Sequence, residues 1–198
     1  MRLLYKSGML PKKKALLQYF QPLWFSHEER YSRYYLRELE HVALPYNIQN
    51  ISLSAAWYVN ELIYITQYPG QSEPNLFDAY EVVLCAMSNV SDLKSLERAL
   101  RRFERELLQS LGQDILLTHT SNDQPIQSSN QYIFVPGDGF ILTEKGISGA
   151  YILAFANNQL EDPLVLSAVK QIMRRAIDYV LDGKVLKTRA LGLSLQNL

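Results

Sequence analysis

The spacing of apolar positions changes several times along the chain, and each change predicts a new element. Short apolar or aromatic runs at residues 3–5 and 16–25 are separated by Pro11-Lys12-Lys13-Lys14 and interrupted by Pro22 before Leu23-Trp24-Phe25, a pattern of strands around a basic loop. Residues 31–42 are dense in Tyr and Arg and keep no clean period; strand and helix both fit, and a strand is the better reading. Pro45 closes this front region. From Ile48 the spacing turns helical, with Leu53, Trp57, Asn60-Glu61, Tyr64 and Ile65 recurring every three or four positions up to a Tyr68-Pro69-Gly70 stop. Asn75 fits the N-cap of a second, largely buried helix, with Asp78 in its first turn and its end near Ser88. A third helix, starting at Ser91 or Asp92, lines up Leu93, Leu96, Leu100, Phe103, Leu107 and Leu111 on one face before Gly112 stops it.

Residues 113–161 lose this period and become rich in Asn, Gln, Ser and Thr. Tyr132-Ile133-Phe134-Val135 and Phe140-Ile141-Leu142 flank Gly137-Asp138-Gly139, which predicts a hairpin. The last long helix opens with Asp162 as N-cap and Pro163 in its first position. Its apolar face is Val165, Leu166, Val169, Ile172, Met173, Ile177, Val180 and Leu181; Gly183 ends it, and a short amphipathic tail follows over residues 187–195. The fold class is therefore α+β: a strand-rich front region, residues 1–47, then a mainly helical body, residues 48–198, that contains a hairpin insertion at 113–161.

Composition supports a folded chain, with 47% hydrophobic and 20% charged residues in 198. No apolar run approaches the roughly 18 residues needed to cross a bilayer, and the N-terminal apolar stretch is too short for a signal peptide, so a cytoplasmic protein is expected. Cys85 is the one cysteine, which excludes an internal disulfide and a thiolate zinc cluster; its neighbours Val82, Val83, Leu84 and Ala86 predict that it is buried. Net charge is zero, but both ends are basic. The first 27 residues hold Arg2, Lys6, Lys12, Lys13 and Lys14 and no acid, and residues 170–189 hold six cations against Asp178 and Asp182.

Lys12-Lys13-Lys14 can neutralise phosphates without reading bases, or can be a solvated loop. Tyr5, Tyr19, Phe20, Trp24, Phe25, Tyr31, Tyr34 and Tyr35 crowd the same region, and rings interleaved with cations suit stacking on single-stranded nucleic acid, although several must fill the core. Arg98, Arg101, Arg102 and Arg105 form either an exposed face balanced by Glu97, Glu104 and Glu106, or a pocket where arginine meets the carboxylate of an acidic peptide. His27, His41 and His119 are scattered without metal-ligand spacing. Phosphate-loop, dinucleotide-binding and nucleophile-elbow motifs do not occur, and carboxylate pairs such as Glu28-Glu29 sit among cations. The pattern favours a binding protein over an enzyme.

Four local sequences carry a resemblance. Leu16-Leu17-Gln18-Tyr19-Phe20-Gln21-Pro22-Leu23 resembles a stretch late in the N-terminal OB barrel of RecO proteins, the bacterial recombination and repair mediators. Tyr58-Val59-Asn60-Glu61-Leu62 is similar to the signature that opens their helical domain. Leu76-Phe77-Asp78-Ala79-Tyr80, then Leu100-Arg101-Arg102-Phe103-Glu104, Leu107-Leu108 and Leu111-Gly112, resemble the next two helices in order and spacing. Gly183-Lys184-Val185-Leu186-Lys187-Thr188-Arg189 resembles the family's basic ending.

The resemblance implies a partial OB-like barrel, a helical domain and a degenerate zinc-ribbon-like insertion. It implies a non-catalytic mediator that binds single- and double-stranded DNA, anneals strands and works with RecR to load RecA onto strands coated by single-stranded DNA-binding protein. On this reading Lys6, Lys12, Lys13 and Lys14 contact phosphates. Arg101 and Arg102, with Phe103 shaping the helix, lie near the pocket for that binding protein's acidic C-terminal tail, and Lys187 and Arg189 form an auxiliary DNA or partner surface. The sequence departs from the family twice. The four zinc-binding cysteines of many members are absent, so neither zinc nor another cofactor is expected. Met1-Arg2-Leu3-Leu4-Tyr5-Lys6 aligns with the third barrel strand, so about the first 30 residues of a five-stranded barrel, two strands, are missing. The competing reading is an interaction module whose helical body binds an acidic peptide with little direct DNA binding.

Overall fold

The structure, a computed structural model, describes residues 18–31, 33–68, 72–89 and 92–190. The expected strand at 3–5, Lys6, the Lys12-Lys13-Lys14 loop and the end of the tail lie outside the described residues. The chain is α+β, with an N-terminal β-hairpin, a helical region and a small antiparallel sheet.

Strand β1 (Leu23–Arg30) pairs antiparallel with β2 (Arg33–His41), from Leu23 opposite His41 to Arg30 opposite Arg33, with a bulge at Ser26/His27. A strand in residues 31–42 is thus observed. Of the strand expected over 16–25, the described residues show strand from Leu23: Tyr19 and Phe20 form a turn, with Phe20 at φ 56°, and Pro22 has no N–H to give a ladder. Backbone bonds from Val42 to Pro22 and from Tyr46 to Phe20 close the base of the ribbon. Among the described residues the front region is this two-stranded ribbon, and no closed barrel forms.

Helix α1 (Asn50–Thr66) buries Ala55, Ala56, Tyr58, Val59 and Leu62 and leaves Leu53 and Tyr64 exposed. The helical spacing is observed, and the core takes the small alanines, which let neighbouring helices approach. Helix α2 (Pro74–Ser88) is capped at Glu73 rather than Asn75, because Pro74 supplies a fixed φ and needs no N–H in the first turn. It buries Leu76, Val83, Leu84 and Met87, while Phe77, Val82 and Cys85 are exposed, so neither the helix as a whole nor Cys85 is buried as expected.

Helix α3 (Leu93–Ser110) is capped by Asp92, whose carboxylate accepts from the Ser95 N–H at 2.9 Å; Gly112, at φ 68°, ends it in the left-handed region. Leu96, Leu100, Phe103 and Leu107 are buried as expected; Leu93 is exposed. The predicted hairpin is β3 (Gln131–Val135) with β4 (Gly139–Thr143), and β5 (Ile147–Ser148) adds on the other edge of β3. Helix α4 (Gly149–Ala156) was not expected: its eight residues are so uniformly apolar that no period shows. Helix α5 (Pro163–Leu181) is capped by Asp162, which accepts from Leu164 N–H at 2.8 Å, and α6 (Lys187–Ala190) follows. Phe103, Tyr132, Phe140, Ile152 and Phe155 join the helices and the small sheet in one core.

Candidate functional site: a buried charge network behind a basic helix ridge

Each residue of Tyr58-Val59-Asn60-Glu61-Leu62 has a defined task. Val59 and Leu62 are fully buried. The Tyr58 hydroxyl donates to Glu104 Oε1 of α3 at 2.7 Å. Asn60 Oδ1 accepts from the Tyr80 hydroxyl of α2 at 2.7 Å, and burial pushes the Tyr80 phenol up to about 12. Glu61 reaches the chain's far end: Oε1 accepts from Lys187 N–H at 2.7 Å, and Oε2 from Thr188 N–H at 2.9 Å and Thr188 Oγ at 2.6 Å. A carboxylate on the first N–H groups of α6 satisfies donors the helix cannot use itself. One turn of α1 thereby ties α2, α3 and α6 together.

Behind this turn lies an ion pair. Arg101 and Glu104, only 5% and 1% exposed, meet at 3.1 Å. Burial holds the Glu104 carboxyl above its ordinary range, although Arg101 and the Tyr58 hydroxyl pull it down, and burial with Glu104 beside it raises the Tyr58 phenol. Arg101 Nε and Glu104 Oε2 have no hydrogen-bond partner, so the pair is incompletely satisfied. Arg189 of α6 bonds Asp178 of α5 and lies near Tyr58, and Lys170 meets Glu97 at 3.6 Å.

In front of the pair, Lys94, Arg98, Arg102 and Arg105 follow one line of α3 at spacings of four, four and three. Arg102 is exposed and donates from Nε to Asn158 Oδ1, just beyond α4, at 3.2 Å; Arg105 lies 5.5 Å over the ring of Phe155. The ridge thus offers cations beside an apolar helix, which suits an anionic, partly apolar ligand.

The family model for the C-terminal part of recombination protein O matches residues 50–190. DNA repair protein RecO of Legionella pneumophila strain Lens is 40% identical over 190 residues, covering 95% of this chain and 83% of that protein. RecO of Marinobacter nauticus is 31% identical over 185 residues, 90% of this chain and 75% of its own length. RecO of Coxiella burnetii strain CbuG_Q212 is 30% identical over 190 residues, 93% and 80%. The chain belongs to the RecO family.

Two of the four stretches that resemble RecO proteins converge on a third. Tyr80, Glu104 and Thr188, from the second helix, third helix and basic ending, all bond the Tyr58–Leu62 turn. Of the predicted site residues, Arg102 is at the surface, Arg101 lies behind it in the ion pair, and Phe103 is buried in the core. Lys187 is exposed with its N–H on Glu61, and Arg189 is paired with Asp178. The structure therefore separates Arg101 from Arg102 and joins Arg189 to the network. Sequence reading missed Glu61, Tyr58 and Thr188 as the residues that hold the ending in place; a lone carboxylate in the charge-poor α1 was the available signal. Glu28, one of the paired carboxylates, is engaged by Arg30 and Arg37. Among the described residues no group of His, Cys, Asp or Glu is placed to hold a metal, and no helix is long and apolar enough to cross a membrane.

Proposed function

We propose that the chain is a non-catalytic recombination mediator that binds single- and double-stranded DNA, anneals complementary strands and, with RecR, helps load RecA onto strands coated by single-stranded DNA-binding protein. The observation that carries this reading is the extent of the likeness, 40% identity across 95% of the chain, which takes in the front region as well as the helical body. The ribbon is then what the described residues contain of an OB-like domain over residues 1–47. Residues 48–198 form the partner-binding body, with 113–161 as a zinc-free insertion, and the work is done in the cytoplasm, at the nucleoid.

Within that reading the acidic tail of the single-stranded DNA-binding protein docks on the α3 ridge. Arg102 is the accessible guanidinium, Arg101 positions the helix from behind, and Phe103 anchors it in the core. Lys6, Lys12, Lys13 and Lys14 meet DNA phosphates, with Lys187 as an auxiliary cation and Arg189 holding α6. Fluorescence anisotropy tests both parts: a labelled oligothymidylate should bind in a salt-sensitive way, and a labelled peptide with an acidic, apolar C-terminus should bind independently. Failure of both ligands at low salt overturns the proposal.

The second reading is a peptide-binding module with little DNA binding; what favours it is that, among the described residues, the front region's sheet is a two-stranded ribbon. Charge reversal at Lys12, Lys13 and Lys14 separates the two. Lost DNA binding with intact peptide binding supports the mediator; unchanged, weak DNA binding supports the module.

A further inference from the structure

Glu104 engages its neighbours unevenly. Its Oε1 accepts the Tyr58 hydroxyl at 2.7 Å and meets Arg101 Nη2 at 3.1 Å, whereas the buried Oε2 has no partner. On an arginine, Nε and Nη2 are the donors of one edge of the guanidinium, and a carboxylate facing that edge can take both in parallel. Here Nη2 meets the carboxylate and Nε has no partner, so the fork is half made. Such a pair gives up less on separation than a bidentate one. The bare Oε2 is also where a proton can settle while Oε1 keeps the bond from Tyr58.

The charges around the pair favour an anion. Glu97 shares α3 with Arg101, Arg189 of α6 and Tyr58 of α1 face Glu104, and Lys170 of α5 lies near Arg101 and Arg174. Arg189 and Lys170 have carboxylates of their own, Asp178 and Glu97. Burial, with repulsion from Arg101 and Arg174, nonetheless outweighs the pull of Glu97 and holds Lys170 below its ordinary range. The seam between α3 and α5 is therefore short of negative charge. Arg102, the next residue along α3, is exposed and can bring an anionic ligand to it.

We infer that an anionic peptide docking on the α3 ridge exchanges partners with this pair: Glu104 takes a proton from solvent onto Oε2, and Arg101 turns to a carboxylate of the ligand. Arg101 is then a second cation for the ligand, released by a proton, as well as a support behind the helix. The inference rests on the reading that the ridge docks an acidic peptide. Burial raises the Glu104 carboxyl and Arg101 pulls it down, so loss of Arg101 makes Glu104 hold its proton more tightly in the complex than in the free protein. Binding therefore takes up a proton. Affinity rises as pH falls through the bound-state pKa and levels off below the free-state one.

Calorimetric titration with a peptide ending in an acidic, apolar C-terminus, in buffers of different ionisation enthalpy from about pH 5.5 to 8.5, counts the protons. The exchange predicts uptake of up to about one proton per peptide, and an affinity that rises by up to roughly tenfold per pH unit as pH falls. Glu104→Gln should bind at the alkaline end as tightly as the wild type does at the acid end, with no uptake. Tyr58→Phe keeps the carboxylate but removes a donor to its charged form, so the same pH dependence should move upward. That variant decides the matter if Glu104→Gln melts below the assay temperature, and an unmoved profile in it overturns the exchange. Peptide binding with no proton uptake and a flat affinity overturns the exchange and leaves docking on the ridge standing. Uptake that persists in Glu104→Gln puts the proton elsewhere and overturns it too. Absence of peptide binding at low salt overturns both.

Discussion

Glu61 and Thr188 are 127 residues apart in the chain, yet one carboxylate oxygen of Glu61 accepts both the N–H and the hydroxyl of Thr188. The contact explains why the two family-like stretches that hold these residues belong together: the helical signature forms the seat, and the basic ending is what sits in it. Without Glu61 the first N–H groups of α6 would lose their side-chain acceptor. Lys187 is therefore placed by a carboxylate on its N–H rather than by its own charge, while Arg189 is held by its ion pair with Asp178.

Glu61→Ala should cost about 1–2 kcal/mol, the lower part of the range for hydrogen bonds to a charged group, since the site is only half-buried. Thr188→Val should cost less, and the double variant should show coupling of about 1 kcal/mol in urea denaturation. Burial pushes the Glu61 carboxyl up, but the bonds from Thr188 and Lys187 outweigh it and hold the group below its ordinary 4.5. A depressed carboxylate stabilises the fold above the unfolded pKa and stops doing so as pH falls through the folded one. The contribution should thus be full above about pH 5 and disappear below 4.5, and Glu61→Gln should flatten that part of the stability curve.

Glu104 has the opposite sign. Burial raises it, so the folded state holds its proton more tightly than the unfolded state does, and its contribution declines as pH rises from 4.5 through the folded pKa. Glu104→Gln keeps an acceptor for Tyr58 but removes the charge that faces the buried Arg101, and should cost about 3 kcal/mol at neutral pH. Arg101→Met strands the carboxylate and should cost about 3–5 kcal/mol, while Arg101→Met with Glu104→Leu should recover most of the loss. Urea titrations from pH 4 to 8 check both; a full cost retained in the double variant would remove the ion-pair explanation.

Gly149 opens α4 where the chain passes the backbone of Gln127. A Cβ there would stand 2.0 Å from Gln127 O and 3.0 Å from Tyr132 Cε2, and Gln127 is itself fixed by its N–H bond to the Tyr132 hydroxyl at 2.9 Å. Backbone cannot yield as a side-chain tip can. Gly149→Ala should lose about 3 kcal/mol and lower the thermal midpoint accordingly.

The parts of this fold that follow from local chemistry were legible in sequence. Asp162-Pro163, Gly112 and Gly137-Asp138-Gly139 mark ends and turns through their own backbone preferences, and α3 and α5 show one apolar face each. The misread parts depend on neighbours. The spacing of α1 shows a helix but not which side packs; the core takes Ala55 and Ala56, and Leu53 and Tyr64 are left exposed. Cys85 looked apolar by its sequence neighbours, yet it lies on the outer side of α2. For the candidate site, the arginine cluster on α3 was visible, but its division into a buried Arg101 and an exposed Arg102 depends on which side of α3 packs against its neighbours.

That division yields the sharpest functional prediction. If an acidic peptide binds the α3 ridge, Arg102 is its accessible cation, and the bond from Arg102 to Asn158 is an exposed contact that costs little to give up. Arg102→Glu should therefore weaken peptide binding by at least tenfold in anisotropy, because a charge-assisted contact is replaced by a like-charge one, and leave the melting temperature within a degree or two. Arg101→Met should lower stability through the stranded Glu104, and its peptide affinity, measured below its melting transition, should fall less than that of Arg102→Glu. Raised salt should weaken the wild-type complex more than the Arg102→Glu complex. An Arg102→Glu variant that binds the peptide as the wild type does would exclude the ridge as the docking surface and leave the buried pair with a structural role alone.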